Sequence, residues 1–367
     1  MALPVHLLLA RRAYSAKRPS MVQTGRRLTG ATIKDVAARA GVSAMTVSRA
    51  INNRAGVRQE TRDAVQSAIA ELSYVPNPAA RKLVTSTELL IGVIYANPSS
   101  AFMSEFLTGV FEEASIRGAR LVLLRFAAGH TPTTEQLERF IGSGLSGLVL
   151  APPLGESLAV NAVLAQHPNL PVTAVGAYEV PNATCVRIDD AAASFEMTRH
   201  LLDLGHRRLG FILGNPNQAA SARRMAGFHA AVRDVPDAQV SLAQGDYSYA
   251  SGLVAGDQLL NVADPPTAIF ASSDDMAAAV VSVAHRRQLD VPRELTVVGF
   301  DDTTAAVTLW PELTTIHQPV RRLAAEALAI IVDKAQVDTS KRGRPPRILE
   351  YELVKRGSTA AVDQRPE

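Results

Sequence analysis

Thr32-Ile-Lys-Asp-Val-Ala-Ala-Arg-Ala-Gly-Val-Ser-Ala-Met-Thr-Val-Ser-Arg49 is the stretch on which the fold turns. Thr32 reads as a helix N-cap, with an acid, Asp35, at the third helical position. Ile33, Val36 and Ala37 follow at helical spacing and give one apolar face. Gly41 supplies the left-handed residue that ends this first helix. Ser43 caps a second helix, Ala44–Ile51, whose Val47, Ala50 and Ile51 turn inward. A small residue at Ala37, a glycine at Gly41 and a branched apolar residue at Val47 are what a helix-turn-helix needs at its crossing, its turn and its plug. A third helix over about Gln59–Ser73 closes the core with Val65, Ala68, Ile69 and Leu72. Tyr74-Val-Pro-Asn-Pro78 then breaks the helix, and Ala79–Val84 has room for one or two further turns.

Charge separates this head from the rest of the chain. Residues 1–88 hold 14 Lys and Arg against 5 Asp and Glu, while the other 279 of the 367 residues hold 24 against 30. A basic head on an acidic body points to a polyanion for the head and another task for the body. With 47% hydrophobic and 20% charged residues, a disordered, collagen-like or coiled-coil chain is excluded. No apolar run approaches the roughly 18 residues of a membrane span. A single cysteine, Cys185, excludes a disulfide scaffold and a cysteine zinc site. Met1–Gly30 contains six basic residues and no acid. That composition fits either a targeting peptide or a disordered leader, and the leader is the expectation adopted because a DNA-binding signature follows.

In the body, Leu89–Glu367, apolar strands alternate with helical stretches. Strands are expected at Leu89–Tyr95, Arg120–Arg125, Gly147–Leu150 and Val172–Val175. A second series starts near Val186, with strands at Leu209–Leu213, Ala268–Ala271 and Leu295–Phe300. The intervening helices are expected at Phe102–Arg117, Thr134–Ser143, Ala191–Leu204, Arg223–Val232, Ala250–Leu260 and Asp275–Arg287. Alternation of this kind means parallel sheets covered on both faces, with ligands at the carboxyl ends of the strands. No nucleophile–base pattern, P-loop or metal-ligand spacing is visible, so neither an enzyme, a cofactor nor a metal is expected. Asp189-Asp190 and Asp301-Asp302 are carboxylate pairs that abut strand ends, where helix caps are expected.

The quoted run, with Glu60-Thr-Arg62 and Glu71-Leu-Ser-Tyr-Val-Pro-Asn77, resembles the lactose-repressor (LacI-type) family of bacterial regulators. Arg58 departs from it, standing where the family usually has a capping Ser. The resemblance continues through Leu201–Gly214, Arg224-Met-Ala-Gly-Phe228, Ala271-Ser-Ser-Asp274, Val297–Asp302, Leu313–Pro319 and Glu352–Thr359. It implies a helix-turn-helix headpiece, 31–73, a hinge, 74–88, and an effector-binding and dimerisation domain, 89–360. That domain would be an α/β body of two Rossmann-like halves, like periplasmic binding proteins. Crossovers near Asp189, Gln318 and Leu349 would divide it into 89–188 plus 319–348 and 189–318 plus 349–360. A leader, 1–30, and a tail, 361–367, flank these parts.

What the resemblance implies about sites can be weighed against side-chain chemistry. The second helix would enter the major groove of DNA, but its tip residues, Ala44 and Met45, can touch only a thymine methyl. Readout would lean on Ser43, Thr46, Ser48 and Arg49, with Arg49 either a base reader or a phosphate clamp. Thr32, Asn52, Tyr74, Asn77 and Ala80 complete the expected DNA contacts. Leu83 matches a hinge leucine that wedges into the minor groove; packing on the body is the alternative. In the cleft, Arg224 and Asp301 match positions that hydrogen-bond a small effector, and charged groups suit a sugar's hydroxyls. Gln218, Ala220 and Ser273 would line the site. Tyr247 would stack on a sugar face and Phe102 would close the pocket, unless both are core. Asp274 is expected to cap the helix that follows it. Lys341–Arg347 is read as a loop rather than a minor-groove hook.

The expected function is therefore a transcriptional regulator, most simply a repressor. It would bind a palindromic operator as a homodimer under the control of a sugar effector, in the bacterial cytoplasm on the nucleoid. The alternative is a periplasmic-type sugar-binding protein with no DNA role.

Overall fold

The computed structural model describes residues 31–51, 57–72, 74, 89–127, 129–336 and 345–362. The chain divides into two compact units, Met1–Thr87 and Glu88–Glu367. Asn52, Asn77, Ala80 and Leu83 lie outside the described residues.

In the first unit, α1 spans Ile33–Arg39, α2 Ala44–Ile51 and α3 Gln59–Glu71. Thr32 caps α1 in a full capping box, its side chain accepting from the Asp35 N–H while Asp35 takes the Thr32 N–H. Two otherwise orphaned donors are thereby satisfied. Gly41 adopts φ of 65°, a conformation that glycine enters without a Cβ penalty. Val36, Ala37, Val47, Val65 and Ala68 form the buried core. Arg58 precedes α3 without any side-chain cap bond.

The second unit holds two parallel sheets. The first contains β1 (Leu90–Tyr95), β2 (Arg120–Arg125), β3 (Gly147–Leu150), β4 (Val172–Val175), β5 (Ala183–Arg187) and β11 (Arg347–Ile348), in the order β11-β5-β4-β3-β1-β2. The second contains β6 (Arg208–Leu213), β7 (Gln239–Gln244), β8 (Ala268–Ala271) and β9 (Thr296–Val298), in the order β7-β6-β8-β9. An antiparallel pair, β10 (Thr315–His317) with β12 (Glu352–Val354), adjoins the second sheet through an Asp301–His317 bridge.

Helices α4 (Ser100–Arg117), α5 (Thr134–Ile141) and α6 (Leu158–Leu164) belong to the first series. Helices α7 (Asp190–Asp203), α8 (Ala219–Val232), α9 (Tyr249–Leu260), α10 (Asp274–Arg286) and the short α11 (Thr304–Thr308) belong to the second. Helix α12 (Val320–Gln336) returns to pack on β3, β4, β5 and α4. The chain thus passes between the two sheets after β5, after β10 at Gln318 and after β11 at Leu349. One apolar cluster runs through both halves, from Ile91 and Val149 to Phe211, Phe228 and Phe270.

Several boundaries differ from the sequence reading. Helix α8 begins at Ala219, not Arg223, and the last strand of the second series shortens to Thr296–Val298. Strand β7 was not anticipated because this sheet edge is largely exposed and carries no apolar run. Helix α12 did carry a legible signal, since Leu323, Ala324, Ala327, Leu328 and Ile331 are all buried at helical spacing.

Gly227 lets α7 and α8 meet closely, because a Cβ there would lie 2.1 Å from the Ala191 carbonyl oxygen. Gly227→Ala forces the helices apart and lowers stability by about 1–3 kcal/mol. Urea unfolding measures this, and an unchanged midpoint would refute the close-packing argument.

Candidate functional site

In the first unit, α2 presents an open face free of carboxylates. Met45 is 68% exposed, and Ser43 and Arg49 are also exposed. Ser43 is the cap of α2: its Oγ accepts from the Thr46 N–H at 3.1 Å and lies 2.9 Å from the Thr46 hydroxyl. The half-buried Ala44, Thr46 and Ser48 stand beside them. The Thr32 hydroxyl donates to Asp35 at 2.7 Å. Tyr74 packs against the head's core and donates its N–H to Ile69.

In the second unit, a pocket opens where the carboxyl ends of both sheets face each other. Asn97, Ser99 and Phe102 reach it from the segment after β1, and Pro152 from the segment after β3. Val175 and Gly176 come from the end of β4, and Tyr247 from beyond β7. Gln218, Ala220 and Arg224 come from the start of α8, Asp190 from the start of α7, and Asp301 and Gln318 from the turns around β10. The cavity they enclose is narrow, about 30 Å³.

Arg224 sits at the centre, 5% exposed. Its Nε donates to Asp190 at 2.8 Å and its Nη1 to the Ser272 carbonyl at 2.6 Å. Asp301 lies 3.9 Å from Nη1 and accepts from the Gln318 amide at 2.9 Å. The guanidinium also stacks over Phe300, 3.5 Å from the ring centroid. Burial opposes the charge of Arg224, but Asp190 and Asp301 beside it keep it firmly protonated. Burial holds the Asp301 carboxyl well above the usual carboxylate range, with Arg224 pulling the other way.

Tyr247 has φ of 76° and Asp301 of 110°, left-handed backbone that non-glycine residues adopt at a cost. Tyr247 fits because Gly214 leaves room: a Cβ there would lie 2.0 Å from the tyrosine ring. Burial pushes the Tyr247 hydroxyl up to about 12. The Gln218 Nε2 is buried without a hydrogen-bond partner, whereas the Ser221 side chain stands within reach of the Tyr247 hydroxyl.

Of the seven expected effector residues, the structure gathers Phe102, Gln218, Ala220, Arg224, Tyr247 and Asp301 in this one lining. Ser273 stands behind it instead. Its hydroxyl accepts the Met276 N–H, as the cap of α10, and donates to the Tyr247 carbonyl. The expected cap, Asp274, is corrected accordingly: it is the first residue of α10 itself. Asp274 accepts from the Thr303 N–H at 2.7 Å and the Thr315 hydroxyl at 2.6 Å, fixing the turn that carries Asp301. Asp189 does cap α7, through the Ala192 N–H. Asp190 does not, and its role as the partner of Arg224 was not anticipated.

Residues 32–77 match the profile of bacterial regulatory proteins of the lacI family, and residues 198–359 that of the periplasmic binding protein-like domain. The chain is 33% identical over 339 residues to the HTH-type transcriptional repressor CytR of Escherichia coli, covering 91% of this chain and 98% of that protein. It is 31% identical to catabolite control protein A of Priestia megaterium, covering 86% and 97%. Among solved structures, it matches the lac repressor dimer bound to operator and the anti-inducer ONPF with a TM-score of 0.75. That match has 29% identity and covers 91% of this chain and all of that one. A complex of the transcriptional regulator CelR with cellobiose matches with a TM-score of 0.65 at 29% identity, covering 89% and 99%.

Burial pushes the Asp274 carboxyl up to about 7. A carboxyl whose folded value is raised binds its proton more tightly in the native state, so stability falls as pH climbs from about 4 to 7. Asp274→Asn keeps an oxygen for the Thr303 N–H, requires the Thr315 hydroxyl to turn and accept from the new amide, and removes the titration. The variant therefore gains stability relative to the parent across that interval, measured by denaturant unfolding at several pH values. A stability difference that stays constant with pH would contradict the argument.

Proposed function

The chain belongs to the LacI family of bacterial regulatory proteins, and from that premise we propose a repressor whose hold on a palindromic operator is set by a small hydroxylated effector, a sugar by preference. DNA binding and repression are properties of its relatives CytR and the lac repressor. The reading for this chain draws on the open, carboxylate-free face of α2 and on the basic head. Neutralising phosphates with Lys and Arg makes such binding fall steeply with salt. Site of action is the bacterial cytoplasm, on the nucleoid.

The observation that carries the effector reading is Arg224 held between Asp190 and Asp301 inside the pocket. A guanidinium and a carboxylate at this distance can share adjacent hydroxyls of one sugar ring. The Tyr247 and Phe102 rings offer apolar surface beside them. The cellobiose bound by CelR supports a sugar.

A homodimer is proposed on two grounds. The lac repressor relative is a dimer. In this chain, both outer sheet edges and their neighbouring helices expose apolar side chains: Leu123 on β2 with Phe111 on α4, and Leu242 on β7 with Val254 on α9.

Two halves joined by three crossings can occupy open and closed arrangements. An effector shifts that balance only by binding one arrangement better.

Arg49→Ala weakens operator binding by about 1–3 kcal/mol if Arg49 reads a base. Fluorescence anisotropy with operator and random duplex separates the roles, because equal weakening on both marks a phosphate clamp. Arg224→Ala strands two buried carboxylates and costs about 3–5 kcal/mol of stability, so Asp301→Asn is the gentler probe of the pocket. It weakens the effector at least tenfold in calorimetry, about 1.4 kcal/mol. Near-normal affinity would remove Asp301 from the site.

A further inference from the structure

The pocket's lining contains one cationic side chain, Arg224, and the protein's own acceptors already engage it. Asp190 and the Ser272 carbonyl take two of its donors, and Asp301 lies within 3.9 Å. The lining therefore sets two carboxylates against one guanidinium.

Arg187 and Arg223 stand outside the lining, stacked on the Tyr178 ring, and the other feature of the lining able to attract an anion is the N-terminus of α8, whose first turn borders the pocket at Gln218 and Ala220. Free backbone N–H groups and the helix dipole make such an end a ready phosphate site. Here it is taken. Gln218 gives no side-chain cap, and Glu156 accepts the Ala219 N–H at 2.6 Å instead. Its second oxygen accepts the Tyr178 N–H at 3.2 Å. Glu156 follows β3 of the first sheet, whereas α8 follows β6 of the second. One half of the body thus supplies the carboxylate that fills the anion site of the other.

What stays unpaired in the lining is uncharged: the amide Nε2 of Gln218, a residue 6% exposed. Buried groups of this kind call for a partner. They suit hydroxyl, carbonyl or ring-nitrogen atoms of a neutral ligand.

We propose that this pocket selects neutral hydroxylated effectors against their phosphate esters, and that Glu156 is a specificity-determining residue for that choice. The proposal rests on the reading of the pocket as the effector site. A phosphate dianion beside the first turn of α8 would face Glu156, Asp190 and Asp301 where water screens poorly, and would find the helix end already capped. Any kinase that phosphorylated the effector would then silence the signal.

The test uses the full chain and matched pairs: ribose with ribose 5-phosphate, glucose with glucose 6-phosphate, and uridine and adenosine with their 5′-monophosphates. Thermal-shift screening is followed by calorimetry. At least one neutral member binds, and its ester binds 100-fold or more weakly. Glu156→Gln narrows that gap at least tenfold, chiefly by strengthening the ester. Ala220→Trp fills the cavity without touching the ion pairs and abolishes binding.

An ester binding within threefold of its neutral partner, and lost in Ala220→Trp, would overturn the selectivity while leaving the pocket as the effector site. A gap unchanged in Glu156→Gln would overturn the role of Glu156. Binding that survives Ala220→Trp, or no binding by any pair, would overturn the effector-site reading and the selectivity with it.

Discussion

A single buried guanidinium ties the second unit together at its centre. Arg224 bonds Asp190 at the crossover into α7 and the Ser272 carbonyl at the end of β8, and it stacks on Phe300 just after β9. Three separate segments of the second series therefore take their positions from one side chain. Removing a cation from water is expensive, and only good geometry with further hydrogen bonds offsets it. That geometry is present: Asp190 also accepts from the Tyr178 hydroxyl, and Asp301 from Gln318. The arrangement fixes where charge lies in the pocket before any effector arrives.

The pocket's other constraint is backbone strain. Tyr247 and Asp301 both occupy left-handed backbone, and both are held there from behind. Ser273 bonds the Tyr247 carbonyl, and Asp274 bonds the Thr303 N–H beyond Asp301. The adjacent residues Ser273 and Asp274, at the head of α10, therefore shape the site without lining it. Glu156 works from the opposite half, giving α8 the cap that its own sequence lacks.

The head was legible from sequence because everything that specifies it is local. The capping box at Thr32 and Asp35, the turn at Gly41 and the apolar spacing of Val36, Val47 and Val65 all lie within single helices or their junctions. The body's alternation of strands and helices was legible only in part: β7, α6, α12 and the short β10, β11 and β12 were not read, and β5, read as the start of the second series, belongs to the first sheet. The cleft was less so. Family resemblance supplied Arg224, Asp301 and Tyr247, whereas Asp190 stayed hidden because its partner lies 34 residues away. Ser272-Ser-Asp-Asp275 offers several capping residues in a row, and only packing decides that Ser273 caps while Asp274 turns inward to Thr303 and Thr315.

A repressor under effector control requires pocket and operator to be coupled through one chain. Thermodynamic linkage requires the effector to change operator affinity by the same factor as the operator changes effector affinity. Calorimetric titration of the effector into the free protein and into its operator complex measures that factor directly. Coupling requires two different affinities, with a ratio equal to the effector-induced change in operator affinity. Identical effector affinity in the two titrations, with the effector bound in the pocket, would contradict it.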